Sequence, residues 1–389
     1  MCAVCVALLT ACVAQPTTNR ATLFQAEVDR IRQQYHFPGM TAAYVLRDGA
    51  SGSAASGLAD VEAETSIKDK PRMLAASTGK SVVGALCIAL ALEGRLTLDE
   101  PVSRWLGKHD WFRRLPNQES ITLRHLLTHS AGLPDHVHMQ AFQNAFAKEW
   151  KASRNTFPPQ RLVEFVLDQP ALFPAGKGWA YTDTGYILAG MVVEEVTGHS
   201  WYEEVRKRFL EPLRLADTSP ANRRDLAELA AGYMRPNNPF GLPARTLDQL
   251  NLLHWHPAVE GAGGGFVSTS RDLARWGSAL FTGKAMSGNY LPELFSSVAV
   301  DPKNADVRYG AGVTINQGGR FGPVYGHAGW IPGYISSFRF YRDSGVTIAL
   351  QINTDAGAIA GDAGVVKIIE ERLIELLIQN QGMESIGAG

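Results

Sequence analysis

Cysteine is nearly missing from the body of this chain. Of its four cysteines, Cys2, Cys5 and Cys12 lie in the first 12 residues, and Cys87 stands alone in the remainder. A single body cysteine cannot form an intramolecular disulfide there, so a small scaffold held together by disulfides is excluded. In an apolar helical context, Cys87 is interpreted as a packing residue rather than a second nucleophile.

An excess of charge of one sign is also missing. The 389 residues contain 37 Lys and Arg against 38 Asp and Glu, for a formal net charge of -1, and no basic cluster stands out. We therefore expect no nucleic-acid partner and no electrostatic attachment to a membrane surface. With 45% hydrophobic residues, the chain has the composition of a globular protein with a large core.

No long hydrophobic run is present either. The apolar stretch at the N-terminus ends at Ala14, which is too short to span a bilayer, and it leads into small residues as secretory signals do. The letters LTAC, ending at Cys12, resemble a lipoprotein cleavage box. Residues 1–20 are therefore predicted to be a signal or lipoprotein-type segment, although no Lys or Arg precedes Arg20. The expected location is the periplasm or outer membrane of a bacterium, with a lipid on Cys12 as the sole membrane attachment. The alternative is a disordered tail.

Several motifs of common enzyme classes are missing. There is no G-x-S-x-G elbow, no P-loop and no G-x-G-x-x-G after a strand, which disfavours an α/β-hydrolase and implies no cofactor. The run GAGGG is interpreted as flexible backbone leading into a helix at Ser270. Two histidine pairs lack the further ligands that a zinc site needs, so no metal is expected and their members are interpreted as polar residues near a cleft rim: His136 with His138, and His254 with His256.

The pattern along the chain predicts an α/β fold. A hairpin is expected around Asp48, a helix from Ser77 to Glu93, further β-runs near the C-terminus and a closing helix over 365–379. Together these predict a mixed, mainly antiparallel sheet built from both termini and flanked by helices, with an inserted helical region. Residues 21–389 form the expected domain, with its α/β part at about 24–97 and 257–389 and its helical part at about 98–256. A site for a small molecule is expected in the cleft between the two parts.

The chain does contain a serine and a lysine that lie three residues apart at the predicted start of a helix. Ser77 and Lys80 in AASTGKSVVGAL share one helix face, and a neutral amine could take the proton of the serine hydroxyl. An apolar setting and the positive end of the helix dipole both favour the neutral amine. The spacing alone also fits a helix cap beside a lysine whose stem lies along the surface.

Two further motifs follow in order. Tyr181 and Asp183 occur in WAYTDTGY just before an apolar helix, and His327, Ala328 and Gly329 occur in VYGHAGW at the end of a β-run. This order of Ser-x-x-Lys, Tyr-x-Asp and His-x-Gly resembles the serine β-lactamase and penicillin-binding-protein superfamily. The closest likeness is to its class C β-lactamase-like branch, which includes family VIII esterases, D-aminopeptidases and DD-carboxypeptidases. Segments such as ITLRHLLTHSAGLP, in which His129 is interpreted as structural, extend the resemblance over about residues 24–380.

The resemblance implies a β-lactamase/transpeptidase-like fold and a role for each motif. Ser77 would be the nucleophile that forms an acyl-enzyme, while Lys80 and Tyr181 shuttle its proton, with Tyr181 acting as a phenolate or as a relay. The backbone N–H groups of Ser77 and Trp330 would form the oxyanion hole. A phenol of ordinary pKa is too weak an acid for the phenolate role unless adjacent cations lower its pKa.

Two departures from the family pattern bear on the substrate. His327 stands where related β-lactamases have a lysine, and its neutral form at pH 7 would favour neutral esters or amides. Asp183 stands in place of the usual asparagine, so it can only accept hydrogen bonds. It would either pair with Lys80 and favour its charged form or accept from a substrate ammonium. The resemblance implies that the residues that bind substrate are Asp183, His327, Ala328 and Gly329.

These observations predict a serine hydrolase that acts through an acyl-enzyme on small ester, amide or peptide substrates. The expected type is a carboxylesterase or a D-amino-acid peptidase, with weak β-lactamase activity at most. The alternative is a non-catalytic penicillin-recognising sensor that becomes acylated and does not turn over.

Overall fold

The computed structural model describes residues 19–68, 71–151, 157–235, 238, 240–355 and 363–380. The predicted signal segment and Cys12 lie outside the described residues, except for Asn19 and Arg20, with which the first helix begins. The predicted domain boundaries therefore remain predictions.

The described helices differ widely in length. They are α1 (Arg20–Tyr35), α2 (Lys80–Leu92), α3 (Ser103–Leu106), α4 (Leu123–Leu127), α5 (Gln140–Lys151), α6 (Pro159–Glu164), α7 (Asp183–Thr197), α8 (Trp201–Val205), α9 (Ser270–Phe281), α10 (Leu291–Phe295) and α11 (Ala363–Gln379). Within the described part of the chain, no helix combines the length and the apolar character that crossing a membrane requires.

The described strands belong to two sheets. They are β1 (Gly39–Val45), β2 (Ser51–Asp60), β3 (Thr65–Ser66), β4 (Met73–Leu74), β5 (Ser219–Pro220), β6 (Phe266–Ser268), β7 (Val298–Asp301), β8 (Asn304–Tyr309), β9 (Thr314–Asn316), β10 (Val324–Ile331), β11 (Tyr334–Tyr341) and β12 (Val346–Ile352). The large sheet has the order β3-β2-β1-β12-β11-β10-β9-β8-β7, and the small one has the order β4-β6-β5.

The large sheet joins the two ends of the chain. The two ends meet where β1 pairs with β12, with Met40 opposite Ile352, and each neighbouring pair of strands in the order is antiparallel. The predicted hairpin around Asp48 is confirmed as the β1–β2 connection, because these strands pair from Gly39 with Gly57 to Val45 with Ser51. The predicted α/β fold with a sheet built from both termini is therefore confirmed.

Helices cover both faces of this sheet. Alternate residues of β1 face opposite sides: Met40 and Ala42 pack with α1 and α11, whereas Ala43 belongs to the core cluster that includes α9. This alternation follows from the two-residue period of a strand. The predicted closing helix is confirmed as α11, and the predicted helix at Ser270 is confirmed as α9, which Thr269 caps by accepting the N–H of Asp272.

Helix α2 is the central element between the sheet and the helical region. Every residue from Lys80 to Leu90 is buried, and the helix contacts α7, α8 and α10. Cys87 is fully buried within it, and burial raises the pKa of its thiol to about 12, so the expected packing role is confirmed. The small sheet crosses the predicted boundary at residue 257, because β5 from the helical region pairs with β6.

Candidate active site

Ser77 lies in a tight turn that leads into α2. The turn is a 3-10 helix over Ala76–Gly79, and the α-helix begins at Lys80, so the helix predicted from Ser77 to Glu93 is confirmed, with a first turn of the 3-10 type. Ala76 has φ of 49°, a left-handed conformation that is costly for a residue with a side chain. Strain directly before the predicted nucleophile indicates that the surrounding contacts hold this turn in place.

The side chain of Lys80 is completely buried and has three oxygen acceptors. Its Nζ donates to Ser77 Oγ at 3.0 Å and to the Gly263 carbonyl at 2.5 Å, and it forms an ion pair with Asp183 Oδ1. Three acceptors match the three donors of an ammonium. The geometry therefore describes a charged lysine and fits the alternative in which Asp183 pairs with it, rather than the neutral amine favoured by the helix-start argument.

Asp135 adds a second carboxylate beside this pair. Its Oδ1 accepts the N–H groups of Val137 at 3.2 Å and of Asp183 at 3.3 Å. Burial, followed by the nearby Asp183 carboxylate, raises the pKa of Asp135. The two N–H donors satisfy Asp135 within the protein and connect it to the first residue of α7.

Tyr181 lies next to the Ser77–Lys80 pair, as predicted, but in a different electrostatic setting. Lys80 Nζ lies 5.0 Å from the centre of its ring, and its hydroxyl oxygen is enclosed beside the Ser77 side chain. Burial and then the Asp183 carboxylate raise the pKa of Tyr181 well above its usual value, against the opposing effect of the contact with Ser77. The expected lowering by adjacent cations is therefore wrong for this state, and a protonated Tyr181 fits the relay role rather than the phenolate role.

The ring of His129 packs against the ring of Tyr181. Its ring lies 4.2 Å from that of Tyr181 between centroids, and its Nδ1 accepts the N–H of Thr182 at 3.2 Å. His129 is fully buried, and burial lowers the pKa of its imidazole well below the usual value. A neutral His129 that packs against Tyr181 is consistent with the structural role that the sequence suggested.

The third motif lies within β10, rather than at its end. His327 is buried, its Nδ1 lies 2.5 Å from the carbonyl oxygen of Ala328, and its Nε2 lies 2.7 Å from the hydroxyl of Tyr309. Because a carbonyl only accepts, Nδ1 carries the proton and Nε2 accepts from Tyr309. Burial, and next Lys80, lower the pKa of His327 to about 3, so the expected neutral imidazole is confirmed.

Gly329 allows β10 to pack closely against the turn Ala76–Gly79, which contains Ser77. A Cβ at this position would lie 2.5 Å from the Ala75 carbonyl oxygen, 2.6 Å from Ser336 Oγ and 3.0 Å from the backbone nitrogen of Ser77. Only glycine permits this approach. It places the backbone around Trp330 close to that of Ser77, as an oxyanion hole made by these two residues would require.

Ser77 opens onto a cleft of about 670 Å³. Asp183, Glu260 and Gly263 lie on its polar side together with Ser77, and Trp330 is also part of the lining. The rest of the wall is mainly apolar, and its large or branched members are Val137, Phe142, Phe146, Phe240, Trp255 and Ile331. A cleft with an apolar wall and few polar groups is typical of a site for a small organic molecule.

The histidines of the two pairs differ in their surroundings, whereas the sequence predicted the same role near the cleft rim for all four. His136 is buried, lines the cleft and contacts the Thr184 hydroxyl through Nδ1 at 3.0 Å, so its interpretation as a rim residue is wrong. His138 is exposed, while His256 caps a turn by accepting the N–H of Ala258. Among the residues that the structure describes, no group of three or more His, Cys, Asp or Glu side chains is placed to hold a metal ion.

Three site residues were missed by the sequence reasoning. Gly263 supplies an acceptor to Lys80, Tyr309 donates to His327, and Glu260 lines the cleft. The interpretation of GAGGG as a flexible approach to a helix was incomplete, because a Cβ at Gly264 would also lie 3.0 Å from the Ser77 nitrogen. The available signal was the density of glycine, which marks close approaches of backbone.

The fold and the Ser77–Lys80–Tyr181 arrangement together define a member of the serine β-lactamase/transpeptidase superfamily. The sequence profile of the family described as Beta-lactamase matches residues 24–367, and the chain belongs to that family.

Similar proteins include both enzymes and penicillin-binding proteins. A penicillin-binding protein of Bacillus subtilis (strain 168) is 25% identical over 307 residues, which are 77% of this chain and 64% of that protein. A lovastatin esterase of Penicillium rubens is 36% identical over 133 residues, covering 33% of this chain and 31% of the esterase. The crystal structure of a D-stereospecific amidohydrolase from Streptomyces sp. is 28% identical, with a TM-score of 0.73 over 88% of this chain and 97% of that one. The chain thus spans less than two thirds of the curated relatives named here.

Proposed function

We propose that this protein is a serine hydrolase that forms an acyl-enzyme on Ser77. The observation that carries the proposal is the 3.0 Å contact between Lys80 Nζ and Ser77 Oγ at the floor of the cleft. The names of the similar proteins, an esterase and an amidohydrolase, support the same reaction class. The substrate class is small esters or amides with an apolar group.

The first half-reaction follows from the contacts of Ser77. After Lys80 has given up one proton, it accepts the proton of the Ser77 hydroxyl while Oγ attacks the substrate carbonyl carbon. The N–H groups of Ser77 and Trp330 bind the resulting oxyanion. Such donors are worth roughly 3 kcal/mol each in the transition state.

The leaving group needs a proton, and Tyr181 can relay it. Its pKa is raised by burial, so the phenol holds its proton until the leaving group departs and is then reprotonated from Lys80. In the second half-reaction, water attacks the acyl carbon, and its proton returns along the same route to Ser77. Asp183 holds Lys80 Nζ in place beside Ser77 through their ion pair.

The apolar wall favours an uncharged, hydrophobic group next to the scissile bond. His327 is neutral and both its nitrogens are bonded within the protein, so it offers no fixed charge to a substrate carboxylate. This favours esters and amides over β-lactams, whose carboxylate would lack the lysine that related β-lactamases have at this position.

A substrate panel tests the proposal. Purified protein, Ser77→Ala and the control Ser287→Ala, which alters an exposed serine, are assayed with p-nitrophenyl butyrate, D-phenylalanine p-nitroanilide and nitrocefin. The proposal predicts turnover of an ester or anilide that falls at least ~10³-fold in Ser77→Ala alone. Stable labelling by a fluorescent penicillin without turnover of any substrate would favour the sensor alternative instead.

We also propose that the N-terminal segment directs export and that Cys12 carries a lipid. The apolar stretch up to Ala14 and the letters LTAC support this. Membrane fractionation of bacteria that express the whole chain should recover it in the membrane fraction, and Cys12→Ser should shift it to the soluble periplasmic fraction. Recovery of both forms in the cytoplasm would contradict the proposal.

A further inference from the structure

Glu260 lies in the cleft but has no part in the chemistry described above. It belongs to the 3-10 segment Pro257–Gly263, which also supplies the carbonyl that accepts from Lys80. Between them, Gly261 has φ of 44° and ψ of -136°, a conformation that only glycine adopts readily. The segment therefore turns sharply beside Glu260, whose side chain lines the same cleft as Ser77 and Asp183.

One carboxylate oxygen of Glu260 has nothing to accept from. Its Oε2 is shielded from solvent and has no hydrogen-bond partner among the described residues, and the hydroxyl of the nearby Tyr202 is in the same condition. A buried polar oxygen without a donor is costly, and native structures seldom leave one unexplained. Because Glu260 is part of the lining of the cleft, a ligand bound there can supply the missing donor.

The other charged groups of the site are already matched. Lys80 has three acceptors, one of them on Asp183, and Asp135 accepts two backbone N–H groups. For the Oε2 atom of Glu260, no such partner is found among the described residues. Burial raises the pKa of Glu260 to about 8, with Lys80 opposing and Asp183 adding to the shift, so the empty cleft favours the protonated form and a cation bound beside Glu260 would favour the carboxylate.

The surroundings restrict what kind of cation could bind there. A metal such as Ca²⁺ takes six to eight oxygen ligands and Mg²⁺ takes six, whereas the lining of the cleft includes the aromatic residues Phe142, Phe240 and Trp255. Aromatic faces attract organic cations and bind apolar groups at the same time. A primary ammonium on a hydrophobic molecule satisfies both sides of the cleft.

We propose that Glu260 binds the ammonium group of an amine-bearing substrate whose apolar part lies against the aromatic wall of the cleft. This inference rests on the proposed hydrolase function and assigns its substrate class, an amide or ester of a hydrophobic amino acid with a free amine. Glu260 is thus a specificity-determining residue that the three sequence motifs do not include.

The test compares two substrates that differ only in the amine. D-Phenylalanine p-nitroanilide carries it, and 3-phenylpropanoic acid p-nitroanilide lacks it. The wild-type ratio of kcat/KM values should favour the amine, and Glu260→Gln should lower this ratio at least ~10-fold, because a charge-assisted hydrogen bond is lost. Glu260→Asp should retain part of the preference. The control Glu203→Gln, at an exposed glutamate of α8, should keep the wild-type ratio.

A binding measurement keeps the inference independent of turnover. 2-Phenylethylamine is titrated calorimetrically into Ser77→Ala and into Ser77→Ala combined with Glu260→Gln, after melting curves show that both are folded. At least ~10-fold weaker binding by the double variant supports the inference. Equal binding, or a ratio of kcat/KM unchanged in Glu260→Gln, overturns it. Failure of the wild type to hydrolyse either anilide or any ester overturns the hydrolase function instead, and the titration alone then decides whether Glu260 binds amines.

Discussion

The two sides of the proposed catalytic cleft differ in the charge of the buried titratable groups next to Ser77. On the helical side, Lys80 is fully buried yet paired with Asp183, and further carboxylates lie beside the pair. On the sheet side, His327 is held neutral by burial, and both its nitrogens are bonded within the protein. Around Ser77, the buried ion pair thus lies on the side where the proposed reaction moves protons, and the nearest titratable group of the sheet side, His327, is neutral.

This difference shows what each side contributes. A buried ion pair is costly to desolvate and seldom adds net stability, so its presence indicates function rather than folding. The sheet side instead contributes backbone, because Gly329 allows β10 to approach Ser77 closely. The sheet side would therefore act through its backbone and the helical side through its charged groups. A variant that adds bulk to the sheet side or removes charge from the helical side tests this difference.

Gly329→Ala should have the largest effect. The new Cβ would overlap the Ala75 carbonyl oxygen and crowd the Ser77 nitrogen, and so it would displace the proposed oxyanion donors. We expect kcat/KM to fall ~10²–10³-fold, the usual effect of losing one such donor. Gly364→Ala, where a Cβ meets no atom within 4 Å, is the matched control. Wild-type kinetics in Gly329→Ala would show that β10 takes no part in the reaction.

Glu260→Gln should change how stability depends on pH. The pKa of Glu260 rises from 4.5 in the unfolded chain to about 8 in the fold, so the fold favours the protonated form. Its stabilising contribution is complete below pH 4.5 and is lost as the pH rises to about 8, by up to about 1.4 kcal/mol per pH unit. Chemical unfolding at pH 5 and pH 8.5 should show a smaller loss for Glu260→Gln than for the wild type. Identical losses would mean that this carboxyl is not buried unpaired.

Asp183→Asn should weaken the reaction. Without the carboxylate, Lys80 Nζ loses its charged partner and is held less firmly beside Ser77 Oγ. We expect kcat/KM for p-nitrophenyl butyrate to fall ~10-fold, the equivalent of one charge-assisted hydrogen bond. Asp225→Asn, which removes an exposed aspartate paired with Arg223, should keep the wild-type value. An unchanged kcat/KM in Asp183→Asn would show that the ion pair takes no part in the reaction.

Tyr309→Phe should have the smallest effect. It removes the donor to His327 Nε2 and leaves a buried acceptor without a partner, which costs roughly 1–3 kcal/mol of stability. Because neither group lies in the proton path, kcat should stay within a few-fold of the wild-type value. Denaturant unfolding and steady-state kinetics measure both. A large loss of kcat with unchanged stability would show that the sheet side also takes part in proton transfer.

Much of the fold and the central pair could be predicted from the sequence. The turn at Asp48, the cap at Thr269 and the three-residue spacing of Ser77 and Lys80 are local features, and local features follow from backbone geometry. The order of the three motifs then supplied the overall architecture through family resemblance.

The rest depended on contacts between distant parts of the chain. Glu260 reaches the site because its segment packs on Lys80, 180 positions away, and no spacing rule describes such a contact. The orientation of His327 was equally hidden, since the partner Tyr309 lies on a different strand. The expected lowering of the pKa of Tyr181 was wrong because burial, which a motif does not reveal, outweighs the nearby ammonium.

The proposed reaction depends on acylation of Ser77, and trapping the acyl-enzyme tests this step. The protein is mixed with p-nitrophenyl butyrate, quenched in acid within milliseconds and digested, and the peptides are analysed by mass spectrometry. We expect a butyryl group on the peptide that contains Ser77 and on the Ser77 hydroxyl itself, and no such adduct in Ser77→Ala. A butyryl group on another residue that accumulates at the rate of turnover, with Ser77 unmodified, would contradict it.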